Sequence, residues 1–275
     1  MSGQVELRMR DVSKAREAYN NGDAETSRQV HDNKVHGYEA HTPAAGKYIK
    51  SMVFGGLDGI ITTFAIVAAV AGGDLERNVV LLMGFANLVA DGISMGLGDY
   101  ISSKSELEYV KAERSREAWE NENYPEGEQE EMVQLYRKRG LSEEDATQVI
   151  AILSKYPDVF LDTMMVEELG LMPPDEGDEP WKNGIVTFVS FCVFGIVPLL
   201  TYVFSQEAGN KEFFISIGLS AVTMFILGVA KAKFTGQNKL RSGFWMLVNG
   251  AIAAAAAYLI GWGFQEALGV NDCGV

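Results

Sequence analysis

The sequence predicts an all-α membrane protein with five transmembrane helices and a helical insertion between the second and the third. Three observations predict it. Five apolar runs, Met52–Gly72, Val79–Tyr100, Ile185–Phe204, Phe213–Ala230 and Phe244–Phe264, reach the ~20 residues that cross a hydrocarbon core. Charge is segregated: residues 101–180 hold 21 Asp or Glu against 8 Lys or Arg, which leaves the rest of the 275-residue chain nearly neutral although its net charge is −14. Breaker and capping residues inside that acidic block mark out helices. A mean hydropathy near zero and 47% hydrophobic residues resemble a soluble protein, but that average mixes two kinds of block.

Residues 1–46 mix Arg, Asp, Asn and Gly with little apolar periodicity, and read as a disordered N-terminal tail with room for short helices. The tail has no apolar h-region, so no cleavable signal peptide is expected and insertion relies on the first span. His31, His36 and His41 all lie in it; a spacing of five does not align them on one helical face, so they read as solvated rather than as a metal site. Cys192 and Cys273 form neither a disulfide framework nor a C-x-x-C pair.

Helices 1 and 2 occupy residues 47–100. Met52–Gly72 is 21 residues, about 31 Å of helix, with Asp58 its only charge. GGDLERN turns the chain, and Val79–Tyr100 returns as an antiparallel neighbour carrying Asp91 and Asp99. Nothing from Gly98 to Pro125 breaks a helix, so the second span is expected to leave the bilayer as a rod of roughly 24 further residues, about 36 Å. The insertion, residues 101–180, continues with Glu126–Arg139, which ends at Gly140. Ser142 and Asp145 then form a capping box for a helix that stops before Pro157, and Asp158–Leu169 ends at Gly170, ahead of Pro173 and Pro174. Helices 3–5 fill residues 181–266, the third interrupted by Pro198, and residues 267–275 form a short tail.

Orientation follows from the basic residues beside the spans. One side collects Lys47, Lys50, Lys104, Lys111, Lys182, Lys231, Lys233, Lys239 and Arg241; the other has only Arg77 and Lys211. The positive-inside rule places the N-terminus and the acidic insertion in the cytoplasm, and with five spans the C-terminus in the lumen or exterior.

A carboxylate near the centre of a span costs roughly 3 kcal/mol on insertion scales, so Asp58 is expected to face a partner, a cavity or an ion path. The plain alternative is a carboxylate reaching the headgroups, since Asp58 is only about 9 Å along the helix from Met52. At 100° per residue, Asp91, Met95, Asp99, Glu106, Glu113, Glu117 and Glu120 fall within roughly 80° of arc, one acidic stripe from the membrane into the insertion. Counted from the helix ends, Met95 lies at nearly the depth of Asp58. Carboxylate oxygen with thioether sulfur suits a transition ion such as Fe2+ better than Mg2+ or Ca2+, although simple packing also accounts for Met95.

In the insertion, Glu113, Glu117 and Glu120 are spaced i, i+4, i+7; Glu128 and Glu131 are i, i+3; Met164 and Glu168 are i, i+4. Each set presents its ligands on one face, and a solvated charged face is the alternative. The negative excess attracts cations and excludes nucleic acid as a partner. G-x-x-x-G spacing at Gly55 and Gly59, repeated at Gly92 and Gly96, suggests that the first span pairs with its own copy in a homodimer, two Asp58 and two Met95 around one ion. No E-x-x-H occurs, which argues against a ferritin-type di-iron oxidase.

GGLDGIITTF, GFANLVADGISMGLGDY and PPDEGDEPWKNG, in this order and with the acidic insertion between the second and third spans, resemble the vacuolar iron transporter family over about Met52 to Trp262. The resemblance implies a homodimer of five-helix subunits that exchanges Fe2+ for protons across a vacuolar or related membrane. It also implies a cytoplasmic metal-binding domain, no tightly bound cofactor and no enzymatic reaction; Mn2+ is a second candidate substrate. Carried over by motif position, the pore residues fall on Asp58 and Met95, with Asp91 and Asp99 joining the pathway from the stripe. The ligands of the metal-binding domain fall on Glu117, Glu120, Glu128, Glu131, Met164 and Glu168, and Glu113 is added from the stripe alone. The N-terminal tail has no counterpart in these motifs. A membrane-anchored metal sensor or buffer and an iron-oxidising protein are the alternatives that the residues leave open.

Overall fold

The structure, a computed structural model, describes residues 12–32, 48–174, 177–205 and 210–268. The chain divides into two units, Met1–Lys50 and Ser51–Val275. Within the first, the segment read as a tail holds helices α1 (Val12–Asn21) and α2 (Ala24–Asp32). Gly22, at φ +66°, turns the chain between them, and Asp23 caps α2 by accepting from the Thr26 N–H at 3.0 Å. His31 falls in α2, whereas His36 and His41 lie outside the described residues.

The second unit contains α3 (Ile49–Gly72), α4 (Arg77–Asn123), the insertion helices α5 (Pro125–Lys138), α6 (Glu143–Leu153) and α7 (Pro157–Glu167), then α8 (Pro180–Gly195), α9 (Val197–Phe204), α10 (Asn210–Thr235) and α11 (Lys239–Leu268). The described residues are all-α: four helices are long and apolar enough to cross a membrane, and α8 with α9 makes a fifth span bent by 41°. Pro198 explains the bend. It has no N–H to donate to the Phe194 carbonyl and its ring crowds that carbonyl, so the helix restarts with Pro198 in the first turn of α9.

The expected rod is present. Helix α4 runs unbroken through 47 residues, about 70 Å, and stops where Pro125 opens α5. The turn before it is closed by Asp74 at φ 51°, and Arg77 then reaches across to the end of α9. Its Nε donates to the Tyr202 carbonyl at 2.7 Å and its Nη2 to the Val203 carbonyl at 3.3 Å, satisfying two acceptors that the helix terminus leaves open.

Helix α3 is central. Phe64, Val67 and Val70 meet Val80 of α4 and Leu199 and Tyr202 of α9, while Ile60 packs with Met224, Leu227 and Met246 of α10 and α11. Its glycines face α8: a Cβ on Gly55 would strike the Thr187 carbonyl oxygen, and one on Gly59 that of Phe191. On α4, a Cβ on Gly96 would lie 2.9 Å from the Gly184 carbonyl oxygen, and one on Gly92 would touch the Phe191 ring at 3.2 Å. Both G-x-x-x-G faces are thus occupied within the chain, which corrects the reading of Gly55 and Gly59 as the contact with a second copy. The spacing signals close backbone approach but does not name the partner helix.

In the insertion, Met132, Val133, Ala146, Ile150, Phe160 and Met164 form a separate apolar core. Of the anticipated capping box the N-cap half is there, the Asp145 N–H donating to Ser142 Oγ at 3.1 Å, while the Asp145 carboxylate accepts from that hydroxyl at 2.7 Å; Gly140 and Gly170 end their helices at φ 108° and 67°.

Gly59→Val is expected to destabilise the purified protein by about 1–3 kcal/mol, because the carbonyl it meets belongs to a backbone that cannot rotate away. Gly98→Ala, with nothing within 4 Å of the added carbon, is expected to be neutral or mildly stabilising. Thermal melts in detergent compare the two; equal melting temperatures would contradict the packing described.

Candidate metal centre

On α4 the 3.6-residue period brings Glu113, Glu117 and Glu120 to one face, where Arg116 holds all three, at 2.9, 2.6 and 2.8 Å respectively. Pro125 then redirects the chain so that the first turns of α5 carry Glu128 and Glu131 back toward that face. Acidic residues suit this position, the positive end of the α5 dipole. Glu168 caps the C-terminus of α7, where the dipole is unfavourable to a carboxylate.

Glu117, Glu128 and Glu168 converge: one carboxylate oxygen from each lies within 4.8 Å of the other two. Oxygens around a six-coordinate divalent ion stand about 3–4 Å apart, so a small contraction brings these three onto one cation. Burial accompanies convergence, with Glu117 2% and Glu128 8% exposed; Glu168 sits at the open rim. The apolar core explains the burial, since Met132 lies one turn after Glu128, and Met164 one turn before Glu168.

Three groups report the resulting electrostatics, the first being Glu117, which desolvation raises against the opposing charge of Arg116. Desolvation first, and then the charges of Glu117, Glu131, Glu168 and Glu120, push Glu128 up to about 7. Glu168 is also raised, by desolvation first and then by the charge of Glu131 and a hydrogen bond to it. Glu113 joins through Arg116, so all six predicted glutamates of the insertion belong to one network with a single guanidinium inside it. A merely solvated face would pair charges more evenly and leave them in water. Met164 is fully buried with its side chain in the apolar core, one turn from Glu168. Two cross-helix ties hold the frame: Arg114 pairs with Asp162 at 3.1 Å, and Arg139 with Glu167.

In the membrane-spanning part of α4, Asp91 is the carboxylate whose charge acts on Asp58. Met95 lies one turn, about 6 Å, nearer the rod. All three are half-buried within this chain. Asp99 accepts a 2.5 Å hydrogen bond from Thr187 Oγ1 of α8, and Glu106 is exposed on the rod between membrane and insertion. Sequence reasoning missed Thr187, a fully buried hydroxyl, and Asn87, one turn before Asp91, whose buried Nδ2 has no hydrogen-bond partner among the described residues. The available signal was a polar residue inside an apolar run.

Fold and site together define a multi-pass, all-α membrane protein in which one continuous helix links intramembrane carboxylates to a crowded glutamate cluster outside the apolar spans. The chain belongs to the VIT family, whose profile matches residues 49–262. It is 42% identical to a vacuolar iron transporter of Toxoplasma gondii, a match that covers 98% of this chain and 93% of the relative. It is 38% identical to one of Plasmodium berghei, over 90% of this chain and 94% of the relative, and 34% identical to vacuolar iron transporter 1 of Arabidopsis thaliana, over 78% and 86%. The first of these matches takes in nearly all of the N-terminal tail, which is therefore shared with that relative.

Because Glu128 is raised above its unfolded value, its contribution to stability is fully present at acid pH, below the unfolded value of about 4.5, and is lost as pH rises through about 7. Metal-free protein is therefore expected to melt at lower temperature at pH 8 than at pH 5.5. Glu128→Gln is expected to flatten that dependence and raise the metal-free melting temperature at pH 8 above wild type. Differential scanning fluorimetry across pH checks both signs.

Proposed function

We propose that this protein is a proton-coupled antiporter that moves Fe2+, with Mn2+ as a second substrate, from the cytoplasm into a vacuole or similar acidic lumen. The observation that carries the reading is the continuity of α4: the helix that presents Glu113, Glu117 and Glu120 to the glutamate cluster also carries Asp91, whose charge acts on Asp58, with Met95 and Asp99 one and two turns further along it. Membership of the VIT family and relatives named vacuolar iron transporters support it. The distribution of Lys and Arg supports a cytoplasmic N-terminus and insertion and a lumenal C-terminus.

In the mechanism, the cluster gathers divalent ions from dilute solution. Binding requires ionised carboxylates, so an incoming ion displaces protons from Glu128 and Glu168. Glu117 stands about 27 Å beyond Asp99 on the same rod, and the acidic stripe between them keeps the local cation concentration high. At Asp58, Asp91 and Met95 the ion meets oxygen and sulfur donors, the mixed set that suits Fe2+. Protons from the acidic side then compete for the carboxylates and discharge the metal to the lumen. These three residues are half-buried at bilayer depth, where an uncovered carboxylate is costly. A second copy that closes over them completes the pathway, so the working unit is a homodimer, assembled through this face and not through the glycines that hold α8.

Asp58→Ala in proteoliposomes is expected to abolish Fe2+ uptake driven by a proton gradient, while metal binding at the insertion persists; uptake equal to wild type would refute the pore assignment. Excision of residues 126–168 is expected to lower uptake several-fold at micromolar Fe2+ and to leave residual flux at high Fe2+. Flux measured with Fe2+, Mn2+, Co2+, Zn2+ and Ca2+ side by side sets the selectivity, and binding without flux would identify a sensor or buffer instead.

A further inference from the structure

A cavity of about 580 Å3 opens between α3, α10 and α11, at the end of the bundle where α3 begins and α10 passes into α11. That is the size of a small-molecule site. Its charge runs against the rest of the chain. Although the chain has 37 acidic and 23 basic residues, the two charged groups among the described residues that line it are both cations, Lys231 and Arg241. Neither forms an ion pair or hydrogen bond with its side chain among the described residues. Lys231 is half-buried and Arg241 exposed, and two cations on the wall of one cavity attract an anion from outside the chain.

A second observation points the same way. Ser242 lines the cavity and is only 8% exposed, yet its hydroxyl makes no hydrogen bond to any described residue. That hydroxyl lies on the cavity wall beside Lys231 and Arg241, where it can donate to an anion seated between the two cations. The neighbouring backbone is not competing for it: Asn238 Oδ1 already accepts from the N–H groups of Leu240 and Arg241, at 3.1 and 3.2 Å. The amide side chains of Gln237 and Asn249 add further donors at the polar part of the wall.

The walls set the form of the ligand. Val53, Leu57 and Met246 make one side apolar, while Trp245, 56% exposed at the cavity, is of the type that anchors helices at the headgroup level. A site with a cationic mouth, an apolar wall and an interfacial tryptophan fits a ligand that is itself divided into phosphate and hydrocarbon. We propose that this cavity binds a phosphate-bearing anion, in the form of the headgroup of an anionic phospholipid. Leu57 lies next to Asp58, so occupancy acts directly on the helix that carries the intramembrane carboxylate. The inference concerns binding alone and does not depend on the transport reading.

The test uses the full-length protein in detergent with four probes: dioctanoyl phosphatidylinositol 4-phosphate, dioctanoyl phosphatidylcholine, inositol 1,4-bisphosphate and inorganic phosphate, each titrated by thermal shift and native mass spectrometry. The phosphoinositide is expected to bind at least tenfold more tightly than phosphatidylcholine. Lys231→Gln with Arg241→Gln is expected to weaken it about 25-fold, about fivefold for each cation removed. Lys233→Gln with Lys239→Gln removes the same charge outside the cavity and is expected to change binding less than twofold. All four positions are charged side chains outside the apolar cores, and unchanged elution on size exclusion verifies the fold. Equal affinity for the two lipids overturns the proposal, as does an equal loss in both charge pairs, which would reduce the effect to general surface attraction. Binding of inositol bisphosphate or inorganic phosphate as tight as that of the lipid upholds the phosphate site and overturns the lipid as its source.

Discussion

Inside a bilayer, apolar surface gives helices no reason to leave lipid for one another, so close backbone approach and interhelical hydrogen bonds must hold a bundle together. Helix α8 supplies both. Its Gly184, Thr187 and Phe191 lie where the glycines of α3 and α4 leave no side chain in the way, and Thr187 donates to Asp99 at the point where the second span leaves the apolar region. This contact fixes α3 and α4 together, and with them the facing positions of Asp58 and Asp91. It also sets the base of the rod, and therefore the direction in which Glu113, Glu117 and Glu120 are presented.

The glutamate cluster is held against its own repulsion. Folding of α5 to α7 around Met132, Phe160 and Met164 places Glu128 and Glu168 one turn from an apolar core and beside Glu117. Arg116 offsets part of the charge and the protonation of Glu128 another part. Protons and divalent cations are the two kinds of positive charge that can complete the neutralisation, and they compete for the same oxygens. With Glu128 pushed up to about 7, the proposed metal site would exchange one for the other, whereas carboxylates with ordinary values would stay ionised and bind metal with little response to pH.

Charge is arranged by region. Acidic groups crowd the insertion and line one face of the rod, while the cavity between α3, α10 and α11 is lined by Lys231 and Arg241 with no acidic residue among the described residues of its wall. The cationic loop that the positive-inside rule uses to set orientation is thus also the wall of a cavity, set beside the helix of Asp58.

What the sequence alone determined is what depends on neighbours along the chain. The spans, the unbroken rod to Asn123, the N-cap at Ser142, the glycine stops at Gly140 and Gly170 and the grouping of glutamates on helical faces all follow from the 3.6-residue period, from capping and from proline. Each is a local rule, and each matches an element of the fold. Tertiary structure decided what lies between elements distant in the chain. G-x-x-x-G marked Gly55 and Gly59 as surfaces of close approach, but only the folded chain shows that α8 fills them, because the motif carries no information about its partner. Likewise the spacing of Glu117, Glu128 and Glu168 put each on a face, and only the packing of α4, α5 and α7 brought the three within one cation's reach. The pairing of Thr187 with Asp99 and the orphaned amide of Asn87 were illegible for the same reason: a hydrogen bond across 88 residues depends on which helices meet.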